Sequence, residues 1–175
     1  MSNYFYDLAS KRRSIRRFTG EPVEETDVKT ILESALLAPS SWGSHPVEFV
    51  VVKDKKKIKD IAKCKAMGAG PLSSAEVAIV VMIDKSNCEL WIEDGAIASS
   101  YILLAAEELG VGACWIHIRG RAGQKKTADE EIRGILGVPD KYSVLNVVAL
   151  GQKGEVKTPY TEKDLHMENI HFEKY

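Results

Sequence analysis

The stretch DGAIASSYILLAAEELGVGACWI, residues 94–116, predicts a long helix followed directly by a buried strand. Asn87 is the expected N-cap of this helix, and Gly110 follows its last apolar residue, Leu109, as a C-terminal glycine does. Small residues leave part of the helix surface shallow, and large apolar residues surround that part, which indicates burial on most sides. Two arrangements remain open: a partner subunit covers the helix, or one chain wraps it as a central helix.

Apolar segments before and after this helix predict four strands. The segment 77–83 is apolar at every position, which indicates a central strand that is buried on both faces. The other three strands are expected at 47–52, 112–118 and 143–150.

Three shorter helices are predicted from their cap residues. Thr26 is the expected N-cap of a helix that ends before Pro39, because proline disfavours helical backbone in the residue that precedes it. Asp54 is expected to begin a short lysine-rich helix. The sequence Thr127-Ala128-Asp129-Glu130 has the spacing of a capping box and predicts the start of a third helix.

Composition restricts the class of protein. The 175 residues have the length of one domain, so we expect a single domain over residues 1–175. The 24 Lys and Arg residues nearly balance the 25 Asp and Glu residues, which disfavours nucleic-acid binding. No apolar run is long enough to cross a membrane as a helix. Three widely spaced cysteines and no signal peptide predict a cytoplasmic protein.

The run Lys11-Arg12-Arg13-Ser14-Ile15-Arg16-Arg17 concentrates positive charge in an otherwise nearly neutral chain. Arginine binds phosphate oxygens through two parallel N–H groups, and a serine hydroxyl adds a short donor. Together with the neighbouring apolar residues Ile15 and Phe18, this basic run predicts a site for a phosphate joined to a flat apolar body. The alternatives are a solvated basic surface at a helix end, a nucleic-acid-binding arm, and a kinase recognition site.

Other common cofactor and catalytic motifs are missing from the sequence. The segment Gly68-Ala69-Gly70 lacks the third glycine and the strand–helix context of a dinucleotide-binding loop. The four histidines and three cysteines lack the spacing of a metal site, so no metal is expected. Ser41 and His45 are close in sequence but lie outside a GxSxG elbow, which disfavours a hydrolase.

The chain resembles the nitroreductase family of FMN-dependent NAD(P)H oxidoreductases over nearly its whole length. Five segments carry the resemblance: RRSIRRF at 12–18, APSSWGSHPVEFVVV at 38–52, DGAIASSYILLAAEELGVGACWI at 94–116, NVVALGQKGE at 146–155 and ENIHFEKY at 168–175. It implies an α+β nitroreductase-like fold, with a central, mostly antiparallel sheet flanked by helices and a C-terminal tail that wraps the partner subunit. It also implies a homodimer with FMN at the subunit interface.

The resemblance assigns candidate cofactor-binding residues in four segments: Arg12, Arg13, Ser14 and Arg16; Pro39, Ser40, Ser41 and Gly43; Trp115, Ile116 and His117; and Gly151, Lys153 and Lys163. In the family pattern Arg12 and Ser14 hold the phosphate, and Arg16 reaches the pyrimidine edge of the flavin. The second segment contacts the flavin of the other subunit, and the third lies beside flavin N5. The fourth segment returns to the phosphate.

Four positions depart from the family pattern. Gly43 stands where the family usually has Asn, His45 where it has Gln, and Val47 where it has Trp. Lys163 stands where a phosphate-binding arginine is expected. Losing the arginine fork replaces a bidentate contact with a point charge.

The activity implied by the resemblance is hydride transfer from NADH or NADPH through flavin N5 to an electron-poor small molecule such as a nitroaromatic or quinone. Because the chemistry belongs to the cofactor, no catalytic residue is assigned, and His117 is the nearby candidate proton donor. Two alternatives stay open. One is a different flavin-dependent reduction, for example of an activated alkene, and the other is a flavin-binding protein with little turnover.

Overall fold

The structure is a computed structural model that describes residues 3–175. Four strands form one sheet with the order β1-β2-β4-β3, in which every neighbouring pair is antiparallel. Their bounds are β1 (Val47–Val52), β2 (Val77–Asp84), β3 (Val111–His117) and β4 (Tyr142–Gln152). All four predicted strands are confirmed, and the segment 77–83 lies in a central strand, as its composition indicated.

Five α-helices accompany the sheet: α1 (Tyr4–Lys11), α2 (Glu25–Leu36), α3 (Lys55–Lys63), α4 (Trp91–Glu108) and α5 (Ala128–Leu136). Helix α1 was not predicted, because its own chain buries none of its residues and a buried apolar stripe is the signal that reveals a helix. The C-terminal tail, residues 153–175, contains two short 3-10 turns, Glu162–Asp164 and Met167–Asn169.

The sheet separates two apolar clusters, and helices cover both of its faces. On one face, helices α3 and α5 contribute Ile58, Ile61 and Ile132 to the core. On the opposite face, helices α2 and α4 contribute Ile31 and Ile102. Burial on both faces explains why β2 is apolar at nearly every position. Within residues 3–175, no helix combines the length and the apolar character needed to cross a bilayer.

Two of the predicted helix caps are wrong. Helix α2 begins at Glu25 without a side-chain cap, so Thr26 lies inside its first turn. Helix α4 begins at Trp91, four residues after Asn87. The Asn87 amide instead donates to Asp84 Oδ2 at 3.3 Å, within a turn that follows β2. Short polar side chains that bond to nearby groups in this way compete with helix formation.

The other two predicted caps are confirmed. The Asp54 carboxylate accepts from the N–H groups of Lys56 and Lys57 at the start of α3. Thr127 and Glu130 form a reciprocal capping box at the start of α5, in which each side chain accepts from the backbone N–H of the other residue.

Helix α4 keeps an apolar face that its own chain does not cover. Ile97 and Tyr101 on this helix remain 36% and 38% exposed, and Leu109 at its end remains 37% exposed. Phe5 on the neighbouring helix α1 is 63% exposed. An exposed apolar surface of this kind is typical of a contact surface, and these exposures show that its own chain does not wrap α4 on all sides.

Candidate cofactor site

The basic run lies along the free edge of the sheet, next to β3. Ser14 pairs with Ala113 of β3, and the Ile15 N–H donates to the Ala113 carbonyl at 3.0 Å. Phe18 then pairs with Lys153, just beyond β4. The fold therefore places the first and the fourth candidate segments side by side, although they are about 140 residues apart in sequence.

A pair of glycines makes room for this run. Gly112 and Gly151 face each other across β3 and β4. A Cβ atom at Gly112 would lie 3.1 Å from Ile15 Cγ2, and one at Gly151 would lie 2.7 Å from Phe18 Cγ. Ile15 and Phe18 are buried in the core, so the expectation that they line the apolar part of a ligand is wrong. They anchor the run, and burial of these side chains leaves only its polar residues free to bind.

The side chains of Arg12 and Ser14 carry hydrogen-bond donors that have no acceptor within residues 3–175. Neither side chain forms a hydrogen bond or ion pair within this part of the chain. The Arg16 guanidinium makes one long bond, 3.5 Å, to the Ser14 carbonyl. One guanidinium and one hydroxyl without acceptors in this part of the chain, beside a second guanidinium with a single long bond, form a donor set suited to a phosphate or another oxyanion.

Arg13 belongs to a different contact. Its guanidinium donates to the Thr158 carbonyl and lies 4.2 Å from the centre of the Tyr160 ring. The Tyr160 N–H in turn donates to the Ser10 carbonyl at 2.9 Å. Arg13 therefore anchors the tail, a role that its predicted place among the FMN-binding residues did not anticipate.

The free edge of β3 presents backbone groups at Trp115 and His117. On one side of the strand the Ile118 N–H donates to the Leu145 carbonyl at 3.1 Å, and on the other side the Ala113 carbonyl accepts from the basic run. Backbone groups alternate between the two sides of an antiparallel strand, so Trp115 and His117 point their N–H groups away from β4.

Ile116 does not reach that edge. Its side chain is 1% exposed within the core, and by the same alternation its backbone pairs with β4. The prediction that Ile116 contributes to the site is therefore not supported by its position. The residues on either side of it carry the free edge instead.

The end of β3 is electropositive. Burial lowers the pKa of His117 below its ordinary value of 6.5, and the cations Arg121, Lys65 and Arg119 lower it further. The imidazole stacks beside Trp115, with the ring centres 6.5 Å apart. Sequence reasoning missed these cations because Lys65 comes from a segment that precedes the other two by more than fifty residues. The bond from the Gln124 amide to the Lys63 carbonyl, 3.0 Å, helps to join the two segments in space.

The second candidate segment lies elsewhere. The Ser41 N–H and hydroxyl donate to the Asp94 carboxylate at 2.8 and 2.6 Å, near the start of α4. Lys153 pairs with Glu107 at 2.8 Å, near the end of the same helix. Asp94 and Glu107 are thirteen residues apart, which is about 20 Å along a helix axis. One chain therefore does not bring the 39–43 segment to the basic run.

The tail beyond Tyr160 lies outside the body of its own chain. Every residue from 161 to 175 is exposed. Lys163 sits in a 3-10 turn, Glu162–Asp164, that Thr161 caps. The pKa of Asp164 is lowered mainly by hydrogen bonds from Thr161, and the charge of Arg13 adds to this effect. Lys163 is thus near the tail anchor, but within residues 3–175 it forms no hydrogen bond or ion pair with another candidate residue.

Comparison with known proteins identifies relatives of this chain. The model of the nitroreductase family matches residues 9–82 and 74–152. A provisionally named NADH dehydrogenase/NAD(P)H nitroreductase from Archaeoglobus fulgidus is 34% identical, and the match covers 94% of each chain. The solved structure of an FMN-dependent nitroreductase from Clostridium difficile is 43% identical, with a TM-score of 0.94 over 97% of this chain and 99% of that one. This agreement confirms the predicted α+β fold.

Proposed function

Because this chain belongs to the nitroreductase family, we propose that it is an FMN-dependent oxidoreductase that oxidises NADH or NADPH and reduces an electron-poor small molecule. One observation carries the proposal: within residues 3–175 the side chains of Arg12 and Ser14 have no acceptor, the Arg16 guanidinium makes a single long bond, and the three residues lie beside the free edge of β3. When held by these residues, FMN would supply the redox chemistry of hydride transfer between the nicotinamide and the acceptor.

The chemistry of the donor set suits the two ends of FMN. Arg12 and Ser14 would hold the phosphate, which carries about 1.5 to 2 negative charges near neutral pH. His117 lies four residues beyond Ala113, which is about 13 Å along a strand. The backbone N–H groups at Trp115 and His117 would therefore hold the ring rather than the phosphate. Arg16 would place a fixed positive charge at the pyrimidine edge, where negative charge develops on reduction.

No side chain of this chain needs to act as a nucleophile. The lowered pKa of His117 keeps its imidazole neutral at neutral pH, which makes it a poor source of protons there. We therefore assign no catalytic side chain and give His117 a backbone role beside the ring.

We infer that the active form is a homodimer with two composite sites. The exposed apolar face of α4 offers the contact area for a partner. The 39–43 segment is bonded to Asp94, about 20 Å along α4 from the ion pair between Glu107 and Lys153. A partner subunit in reversed orientation would bring its own 39–43 segment to the basic run. The exposed tail from 161 to 175 would then wrap the partner.

Cofactor binding and turnover test this function. The freshly purified protein should be yellow and release FMN on denaturation, and it should oxidise NADH or NADPH when a nitroaromatic or quinone is supplied. Bound FMN without turnover on nitroaromatics, quinones or activated alkenes would leave only a flavin-binding role. A colourless protein that takes up no added FMN would overturn the proposal.

A variant pair tests the phosphate assignment. The double substitution Arg12→Ala and Ser14→Ala should weaken FMN binding by at least about a hundredfold, because each charge-assisted contact contributes about 1.5–3 kcal/mol. Arg17→Ala is the matched control, since Arg17 is an exposed arginine of the same run without an assigned contact to the cofactor. Equal FMN affinity in the two variants would contradict the assignment.

A further inference from the structure

Asp94 is a buried carboxylate that no cation within residues 3–175 neutralises. The residue is 3% exposed. Its carboxylate accepts from the Ser41 N–H at 2.8 Å, from the Ser41 hydroxyl at 2.6 Å and from the Cys88 thiol at 3.4 Å. The first turn of α4 adds the favourable end of a helix dipole. Burying a carboxylate is costly unless hydrogen bonds satisfy it, so this arrangement needs a reason beyond packing.

The loop held by Asp94 has an unusual backbone. Trp42, Gly43 and His45 have φ angles of 50°, 66° and 45°. Residues other than glycine rarely adopt this left-handed backbone region, and such conformations persist only when the surroundings enforce them. Trp42 is 89% exposed, so packing within its own chain does not enforce its conformation.

Hydrogen bonds tie this loop to the body of the chain at one place. Within the loop, the His45 N–H donates to Ser40 Oγ and the Ser44 hydroxyl donates to the Ser41 carbonyl, each at 2.8 Å. In the described part of the chain, residues 40–45 bond to another element only through Ser41, which contacts Asp94 and Cys88. The carboxylate of Asp94 is therefore the fixed point from which the loop is oriented.

We propose that Asp94 is a positioning residue for the 40–45 loop, and that the loop held in this way completes the flavin site of the partner subunit. This inference rests on the proposed function. It also changes the role of Ser41, whose hydroxyl and N–H are both engaged by Asp94. The flavin contacts are then left to Pro39, Ser40 and Gly43. The bond between Ser41 and Asp94 fixes where these residues lie relative to α4.

The direct test compares Asp94→Asn with a matched control, Glu93→Gln. Both substitutions remove one negative charge from the first turn of α4, but Glu93 is exposed and does not touch the loop. In Asp94→Asn one of the two carboxylate oxygens becomes an N–H₂ group, which can no longer accept a hydrogen bond from Ser41 or Cys88. The FMN dissociation constant, measured by fluorescence titration, should rise at least about tenfold, as expected for loss of one charge-assisted hydrogen bond. Glu93→Gln should bind FMN as the unmodified protein does.

A second variant keeps the test independent of folding defects. Ser41→Ala removes only the hydroxyl bond and leaves Asp94 and the Ser41 N–H in place. It should weaken FMN binding in the same direction by a smaller factor. It should also change the visible circular dichroism of the bound flavin, which a loss of stability alone would not change.

Mixed dimers test whether the loop acts across the interface. Asp94→Asn chains are combined with chains that carry Arg12→Ala and Ser14→Ala, using different affinity tags on the two chains. If arginines from one subunit meet the loop of the other, one of the two sites is intact. The mixed dimer should then bind one FMN with the affinity of the unmodified protein. Two weakened sites in the mixed dimer would show that the loop acts within its own chain and would overturn the inference.

The remaining outcomes separate this inference from the proposed function. If Asp94→Asn and Ser41→Ala bind FMN as tightly as Glu93→Gln and leave the flavin spectrum unchanged, Asp94 supports only the fold and the inference is wrong. The proposed function would survive that result. If the unmodified protein binds no FMN, both proposals fail together.

Discussion

The ring of Phe18 lies directly over Gly151, so close that a Cβ atom at position 151 would sit 2.7 Å from Phe18 Cγ. Gly151 belongs to β4, and Phe18 is the residue that follows the basic run. The contact therefore helps to fix the position of Arg12, Ser14 and Arg16 at the edge of the sheet. A single hydrogen atom in place of a side chain is what allows this close approach.

The first prediction concerns that contact. Gly151→Ala should lower the free energy of unfolding by about 1–3 kcal/mol, because the new methyl group overpacks against the buried Phe18 ring. It should also weaken FMN binding, because the ring can relieve the overlap only by moving the basic run. Urea unfolding and FMN titration measure the two effects. A protein as stable as the unmodified one, with unchanged FMN affinity, would contradict the role given to Gly151.

Gly134→Ala is the control for this substitution. Gly134 lies inside α5, and a Cβ atom there would meet nothing within 4 Å. The same change of residue should raise the free energy of unfolding by about 0.5–1 kcal/mol, because alanine forms helix more readily than glycine.

The second prediction separates two neighbouring arginines. Arg12→Ala should weaken FMN binding, whereas Arg13→Ala should mainly release the tail, because Arg13 contacts Thr158 and Tyr160. Limited proteolysis should cut the Arg13→Ala protein between residues 155 and 160 faster than the Arg12→Ala protein. If Arg13→Ala loses FMN as strongly as Arg12→Ala and its tail stays protected, the family-based role of Arg13 is correct and the tail anchor is not.

The third prediction concerns the tail. Truncation after Tyr160 keeps the bond from the Tyr160 N–H to Ser10 and removes only the exposed residues 161–175. If those residues wrap the partner, the truncated protein should dissociate to monomers at a higher concentration than the full chain. Sedimentation equilibrium measures the difference. An unchanged dimer dissociation constant would show that the tail does not contribute to the interface.

The fourth prediction concerns the electropositive end of β3. Burial, followed by the cations Arg121, Lys65 and Arg119, lowers the pKa of His117. Arg121→Gln should therefore raise this pKa, which an NMR titration of the imidazole measures. Lys125→Gln is the control, since Lys125 is a lysine of the same loop that does not act on His117. An unchanged pKa in Arg121→Gln would show that the Arg121 charge does not contribute to the shift.

The same shift determines the sign of a pH effect on stability. Above the ordinary pKa of 6.5, His117 is neutral in both the folded and the unfolded chain. As pH falls through 6.5, the unfolded chain binds a proton at this histidine before the folded chain does, so the folded state loses stability. His117→Asn should reduce the loss of stability between pH 7 and pH 5, which urea unfolding at each pH measures.

The four cap predictions show where local sequence patterns succeed. The capping box at Thr127 and Glu130 was correct because the two side chains satisfy each other's backbone groups and need no third partner. Asn87 was wrong because Asp84 offered its amide an acceptor in a tighter turn. A single polar residue before an apolar stretch has several local partners, and the sequence pattern does not rank them.

The candidate site shows a similar division. The structure places the basic run beside β3, and its role in binding stays a prediction. The interpretation of its apolar residues was wrong, since Ile15 and Phe18 pack in the core. Their burial depends on Gly112 and Gly151, which are nearly 40 residues apart in sequence and face each other only once β3 pairs with β4. The cations around His117 and the contact between Asp94 and Ser41 were missed for the same reason.

The amino-acid sequence by itself determined the four strands, the long helix α4 and the concentration of positive charge at residues 11–17. These features follow from periodicity and composition, which act within a few residues of the chain. Only the tertiary structure decided that Arg13 holds the tail, that Ser41 is tied to Asp94 and that α4 keeps the two groups of candidate residues about 20 Å apart along its axis. Those relationships join residues far apart in sequence, and they form only when the sheet and its helices are packed together.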